Sequence, residues 1–212
     1  MSVDKFRIVT GPIRAGAVPV HVYNDGLSVF LFDESNTEVI RKQNPEVVWS
    51  IGEQTFEEPK TRALIESGDL VVYGLSGDGG VDLEVVVGKP LDEQELSTGR
   101  WAAPQQTLLR LPSGRLCVHS YNSLPMGDNG EDSEEEGALV VVPAGDYILT
   151  AHRKDWDAME TEGVVSLDDA DEAGIDVYED GRIDEVIVLT PIADTAPLEN
   201  APSGLFLECF GI

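Results

Sequence analysis

The chain has 212 residues, 42% of them hydrophobic and 25% charged, as is usual for a globular protein. Forty Asp and Glu against fourteen Lys and Arg give a formal net charge of −26. Such a surface repels the phosphates of nucleic acids and anionic membranes, and favours basic proteins or cations as partners. No apolar stretch reaches the ~18 residues of a membrane span, and no secretory signal pattern is present. We therefore expect a cytoplasmic protein that binds neither nucleic acid nor membrane.

Strand patterns dominate the chain. Short runs rich in Val, Ile, Leu and Tyr recur about every ten residues and are bounded by Gly, Pro, Asn or Asp. In chain order the predicted strands are 6–10, 18–23, 27–32, 46–51, 69–75, 82–88, 107–111, 115–121, 138–142, 146–153, 175–179, 184–191 and 204–210. Helical signals are few. The segment 57–66 predicts one short helix, with Pro59 in its first turn and Gly68 just beyond its end.

Turn signals between these runs predict hairpins. Asn24-Asp25-Gly26 and Asp78-Gly79 are typical tight-turn sequences. In the segment 142–145, Val-Pro-Ala-Gly suits a type I turn that would pair the flanking runs as antiparallel strands. The acidic, glycine-containing segment 122–137 offers nothing apolar to bury and predicts a long hairpin loop.

The predicted fold is mainly β, with antiparallel hairpins that form a sandwich or two barrel-like halves and with one or two short helices. The polar, poorly periodic segment 90–106 predicts a linker or crossover. It separates an N-terminal β half, 1–100, from a C-terminal β half, 105–212, and one continuous domain is the alternative.

The charged segment His-Arg-Lys-Asp-Trp at 152–156 ends the predicted strand 146–153. Because side chains alternate along a strand, Arg153 shares a face with Tyr147, Leu149 and Ala151, whereas His152 points to the opposite face. Chain neighbours that point apart make a poor catalytic cluster. The main interpretation is a strand end with solvated charges and an anchoring tryptophan. The functional alternative is a small basic binding site formed by Arg153, Lys154 and Trp156 on an acidic molecule.

Three motifs carry a resemblance. They are S-G-R-L at 113–116, V-P-x-G-x-Y at 142–147 and H-R-x-D-W at 152–156. With the upstream segment from residue 65 and the run to residue 192, the chain resembles an uncharacterised family of bacterial domains of unknown function. The resemblance implies no reaction, because the family has no established activity.

Metal and catalytic motifs are weak. Asp169, Asp171, Gly174 and Asp180 have the spacing of part of a calcium loop, but Ala173 occupies a ligand position, and a solvated acidic turn explains them better. His21, His119 and His152 all lie on predicted strands, so a three-histidine metal site is conceivable, although chance placement is the stronger account. Cys117 and Cys209 lack zinc spacing and are expected to be reduced. We predict no catalytic residues, no metal and no cofactor.

Three functions remain open. The first is a non-enzymatic acidic binding protein, such as an inhibitor or immunity partner of a basic nuclease or toxin. The second is a hydrolase or metal-dependent enzyme whose site is assembled from distant strands. The third is an oligomerising structural module that pairs through the apolar residues Phe206, Leu207 and Phe210. The sequence favours the first and leaves the oligomeric state open.

Overall fold

The computed structural model describes residues 15–24, 28–37, 59–74, 79–120, 137–155 and 185–194, together with the single residues 39, 158, 161 and 205. The strands are β1 (Val18–Asn24), β2 (Ser28–Asp33), β3 (Val71–Gly74), β4 (Gly79–Val87), β5 (Gln105–Leu111), β6 (Arg115–Ser120), β7 (Gly137–Val141), β8 (Gly145–Arg153) and β9 (Glu185–Pro191). The helices are α1 (Pro59–Ser67) and α2 (Glu93–Gly99), with single 3₁₀ turns at Glu34–Asn36 and Ile192–Asp194.

The strands form two sheets. The five-stranded sheet has the order β1-β4-β9-β8-β5, and the four-stranded sheet has the order β3-β2-β6-β7. The β4–β9 pair is parallel, and the other pairs are antiparallel. The prediction of a mainly β fold with one or two short helices is confirmed. Each sheet takes strands from both sides of the segment 90–106.

One apolar core lies between the sheets. Alternate residues of every strand point into it, as the period of two in the sequence predicts. Its fully buried members include Val22, Leu31, Val71, Leu83, Leu109, Leu111, Leu116, Val118, Leu149, Ala151, Ile187 and Leu189. These residues come from both sheets, so the two sheets stabilise each other through one shared core.

Three predicted hairpins are wrong. The turn signals after β1, after β3 and after β7 each join strands that lie in different sheets, namely β1 to β2, β3 to β4 and β7 to β8. A turn sequence specifies only that the chain reverses direction. A strand with one apolar face can bury that face in the core from either sheet. Local chemistry therefore does not distinguish a hairpin from an arch between sheets.

The hairpin predicted around residues 122–137 is confirmed, because β6 and β7 pair antiparallel from Arg115 opposite Val141 to His119 opposite Gly137. The loop itself lies outside the described residues. So do the predicted strands 6–10, 46–51 and 175–179, the calcium-like segment 169–180, and Cys209.

Two arches pack side by side at one end of the core. The β5–β6 arch passes through Gly114, and the β7–β8 arch passes through Val142, whose backbone N–H donates to the Gly114 carbonyl at 2.9 Å. Gly114 has a φ of +71°, and a Cβ there would overlap the Val142 carbonyl oxygen. The buried Asp33 carboxylate stabilises the β5–β6 arch, because it accepts hydrogen bonds from the Ser113 N–H at 2.9 Å and from the Ser113 hydroxyl at 2.8 Å.

Candidate binding surface

The segment after β4 crosses the outer face of the five-stranded sheet to reach β5 at its far edge. Leu91 is buried in this crossover, and its backbone N–H donates to Nε2 of His152 at 3.3 Å. His152 is fully buried on the outer side of β8, as the alternation predicts. Because Nε2 accepts this hydrogen bond, that nitrogen is unprotonated, and the imidazole ties the crossover to the sheet.

Helix α2 lies within the crossover, where the sequence predicted only a linker or crossover. Its start is a capping box: Asp92 Oδ1 accepts from the Glu95 N–H at 2.9 Å, and Glu95 Oε2 accepts from the Asp92 N–H at 2.8 Å. Each hydrogen bond satisfies a backbone donor that a helix end would otherwise leave without a partner. Arg100 ends the helix in a left-handed conformation with φ of 54°.

Trp101 follows at once and packs against Val86, Val186 and Val188 on the outer face of the sheet. Gly99 is required beneath it, because a Cβ at that position would overlap the indole ring. The Lys154 ammonium lies 4.1 Å from the centroid of the Trp101 ring, a cation–π distance, and donates to the Gly99 carbonyl.

Backbone hydrogen bonds join the crossover to the end of β8. The Ala102 N–H donates to the Arg153 carbonyl at 2.9 Å, and the Asp155 N–H donates to the Arg100 carbonyl at 3.0 Å. Trp101 and Lys154 form an antiparallel bridge between these two bonds. The two segments are thus held as a short ladder, which fixes their separation.

An open groove of about 570 Å³ lies beside this ladder. It is lined by Glu93, Leu96, Ser97, Trp101, Asp155 and Ala158, and Arg100 also borders it. Asp155 is oriented by its Oδ1, which accepts from the Ala158 N–H at 2.9 Å. The groove, which we call the α2 groove, therefore combines an apolar lining with two carboxylates.

Arg153 lies on the opposite side of β8 from this groove. Its Nε donates to Glu185 Oε1 at 2.9 Å, its Nη2 donates to the Gly74 carbonyl, and its guanidinium carbon lies 5.2 Å from the centre of the Tyr73 ring. The Arg153 and Glu185 side chains are only 16% and 5% exposed. Arg153 therefore forms an ion pair at the end of the core.

Burial and neighbouring charge shift the pKa values of Tyr73 and Arg153. Burial raises the pKa of Tyr73 well above its ordinary value, and the neighbouring Glu185 carboxylate raises it further. Burial alone would lower the pKa of Arg153, but its interactions with Glu185 and Tyr73 together outweigh this effect and leave the pKa above its ordinary value. Arg153 is thus charged at neutral pH.

Two of the residues predicted as a basic binding site lie on opposite sides of β8. Arg153 points towards the core, and Lys154 points to the outer side, where it contacts Trp101. Trp156 lies outside the described residues. Binding of a partner by these three residues stays a prediction. Sequence reasoning missed Glu93, Leu96 and Trp101, although the spacing of Asp92 and Glu95 is a helix-start signal.

The structure does not bring the three histidines together. His21 on β1 is exposed and pairs with Asp82 at 2.9 Å, His152 is buried on β8, and His119 on β6 belongs to the other sheet. Among the residues that the structure describes, no three His, Cys, Asp or Glu side chains are grouped as metal ligands. In the same part of the chain, no helix is long and apolar enough to cross a bilayer.

Comparison with known proteins gives two solved structures at low identity. One, described as crocagin biosynthetic gene J, is 16% identical with a TM-score of 0.49, and the match covers 82% of this chain and 95% of that one. The other is ComJ from Bacillus subtilis, an inhibitor of the DNA-degrading activity of NucA. It is 9% identical with a TM-score of 0.44, and the match covers 84% of this chain and 99% of that one.

No protein-family model and no curated protein matches the chain. The resemblance to a bacterial family of unknown function therefore stays a prediction.

Proposed function

We propose that this chain is a non-enzymatic binding protein that inhibits or neutralises a basic protein, such as a nuclease or a toxin. The observation that carries this proposal is the formal net charge of −26. A charge of this size steers a cationic partner into contact and raises the association rate at low ionic strength. The same charge disfavours nucleic acid and anionic membranes as partners.

Two buried side chains of types that can act in catalysis have structural roles. His152 fastens the crossover, and the Asp33 carboxylate is saturated by hydrogen bonds from Ser35 and Ser113. The carboxylates of α2, in contrast, are exposed to solvent at Asp92, Glu93 and Glu95. We also propose a cytoplasmic location, where a buried cysteine such as Cys117 stays reduced.

The test starts from capture and ends with purified components. The tagged chain is incubated with a lysate of its source organism at about 50 mM salt, where the Debye length is roughly 14 Å, and bound proteins are identified. We expect a protein with a basic isoelectric point. Once purified, this protein should bind the chain directly, lose its activity in the complex, and associate at least about tenfold more slowly at 500 mM salt.

Recovery of abundant chaperones alone, or a captured protein that does not bind after purification, would contradict the proposal. So would an association rate that does not change with salt, because the proposal depends on long-range attraction.

Self-association is a second candidate, favoured by one observation. Strand β7 is the last strand of the described four-stranded sheet, and on it Val141 is 70% exposed and Leu139 is 42% exposed. An apolar edge strand can pair with a second copy. Sedimentation of the wild type and of Val141→Lys would show a dimer that the lysine abolishes. A monomer at all concentrations would rule this candidate out. The predicted apolar contacts of Phe206, Leu207 and Phe210 lie outside the described residues.

A further inference from the structure

The lining of the α2 groove combines two chemical properties. Leu96, Trp101 and Ala158 supply apolar surface, and Glu93 and Asp155 supply negative charge. Among the described residues, neither Glu93 nor Asp155 has an ion-pair partner. In the same part of the chain, the Asp155 carboxylate accepts one hydrogen bond, which comes from the Ala158 N–H at 2.9 Å. The charges are therefore available to an outside cation.

Hydrogen bonds hold the described residues around the groove in place. One wall is α2, whose start is fixed by the capping box of Asp92 and Glu95. The other wall begins at Asp155, whose backbone is bonded to Arg100, and the floor at Trp101 is held by Lys154 and Gly99. A preformed site loses less conformational entropy on binding than a flexible one.

The two carboxylates and the apolar lining suit one kind of side chain. Arginine has an apolar stem that packs along hydrophobic surface and a planar guanidinium that donates hydrogen bonds to carboxylates. Lysine would offer a smaller, more strongly hydrated charge. Arg100, which also borders the groove, already has an interaction of its own.

We propose that the α2 groove receives an arginine side chain of the basic partner, between the carboxylates of Glu93 and Asp155. This inference rests on the proposed function, because it identifies the surface through which the acidic chain would recognise its partner. The net charge of −26 brings the partner close, and the groove selects a guanidinium at short range.

The groove is tested without the partner, with N-acetylarginine amide as the probe. The indole N–H of Trp101, assigned from the missing signal in Trp101→Phe, is followed by NMR during the titration. N-acetylcitrulline amide is the control probe because it has nearly the same shape and no charge. We expect a saturable shift with the arginine probe in the millimolar range and at least about fivefold weaker binding of the citrulline probe.

A matched pair of double variants separates the groove from the overall charge. Glu93→Gln/Asp155→Asn removes both negative charges of the groove, and the asparagine side chain can still accept a hydrogen bond from the Ala158 N–H. Glu66→Gln/Asp146→Asn removes the same charge elsewhere, with Asp146 about 30 Å along β8 from Asp155. The groove variant should bind the arginine probe at least about fivefold more weakly, and the control variant should match the wild type within about twofold.

No saturable shift, equal binding of both probes, or equal losses in both variants would overturn the groove assignment. The same two variants are then measured against the captured basic protein. If the wild type binds that protein and both variants weaken it equally, the proposed function holds and the groove is wrong. If the arginine probe binds in the groove but no basic protein is captured, the groove holds and the proposed function is wrong.

Discussion

Replacing Arg153 with methionine tests whether this residue is structural. The substitution leaves the Glu185 carboxylate buried without its cation, removes the hydrogen bond to the Gly74 carbonyl, and removes the guanidinium from the Tyr73 ring. Breaking a buried ion pair by deleting one partner costs about 3–5 kcal/mol. Because the two side chains are 16% and 5% exposed, solvent screens this pair little. We expect a loss of about 4 kcal/mol in the free energy of unfolding.

Urea unfolding at pH 7, followed by circular dichroism and by tryptophan fluorescence, measures this loss. With a denaturant dependence of about 2–3 kcal/mol per molar urea for a chain of this size, the midpoint should fall by about 1.5 M. Agreement between the two probes is needed for a two-state analysis. Arg153→Lys should lose a smaller but still measurable amount, because one ammonium cannot reproduce the planar contacts of the guanidinium.

A double variant separates the ion pair from simple packing. Replacing both members of a buried pair with apolar residues is often neutral, so Arg153→Met/Glu185→Leu should be much more stable than Arg153→Met alone. A loss below about 1 kcal/mol in Arg153→Met would refute the structural role. The structural role would also be refuted if the loss of stability in the double variant equalled the sum of the losses in the two single variants. Either result would favour the prediction that Arg153 serves a partner.

Two further predictions concern the end of the core where the arches meet. Hydrogen bonds from Ser35 and Ser113 outweigh the effect of burial and lower the pKa of Asp33 below that of an unfolded chain. The stabilisation that the ionised Asp33 gives the folded state is therefore present above pH about 4 and is lost as the pH falls through the folded-state pKa. Asp33→Asn should destabilise by about 2–3 kcal/mol at pH 7, and urea midpoints of the two proteins should converge in acid. Gly114→Ala should lower the free energy of unfolding by about 2–4 kcal/mol, because Gly114 has a positive φ and lies against the Val142 carbonyl. Gly16 has a φ of +80° but no atom within 4 Å of an added Cβ, so Gly16→Ala should lower it by only about 1–2 kcal/mol. Equal thermal midpoints for the two glycine variants would contradict this difference.

The described strands could be predicted from the sequence, but apart from the β6–β7 pair their partners could not. The period of two and the turn residues locate β8 at 146–153, within one residue of the observed Gly145–Arg153. The same local pattern made Val142–Gly145 appear to be a hairpin. The pairing of β8 with β5 and β9 depends on which sheet each neighbour joins, and that choice is decided by the shared core rather than by the turn.

Only part of the candidate binding surface could be predicted from the sequence. Alternation along β8 correctly placed Arg153 on the same side as Leu149 and Ala151. The interpretation of a strand end with solvated charges is wrong for Arg153, whose side chain is only 16% exposed because it pairs with Glu185 inside the fold. The identity of its partner Glu185 does not follow from the sequence, because that residue comes from a strand 32 positions later. Helix α2 was missed because its segment has too few apolar residues for a helical period, and the capping signal at Asp92 was its only clear marker.

The end of β8 makes contacts both in the core and on the outer surface of the sheet. Arg153 anchors the strand end inside, while the backbone of Arg153 and Asp155 holds the crossover outside. The junction of Arg100 and Asp155 beside the α2 groove is therefore held by main-chain hydrogen bonds, and the Asp155 carboxylate adds the bond from the Ala158 N–H, which asparagine can also accept. Substituting Glu93 and Asp155 with their amides changes the charge of the groove without removing those bonds. A selective loss of guanidinium binding in that variant can then be assigned to charge, which is the property that the proposed recognition requires.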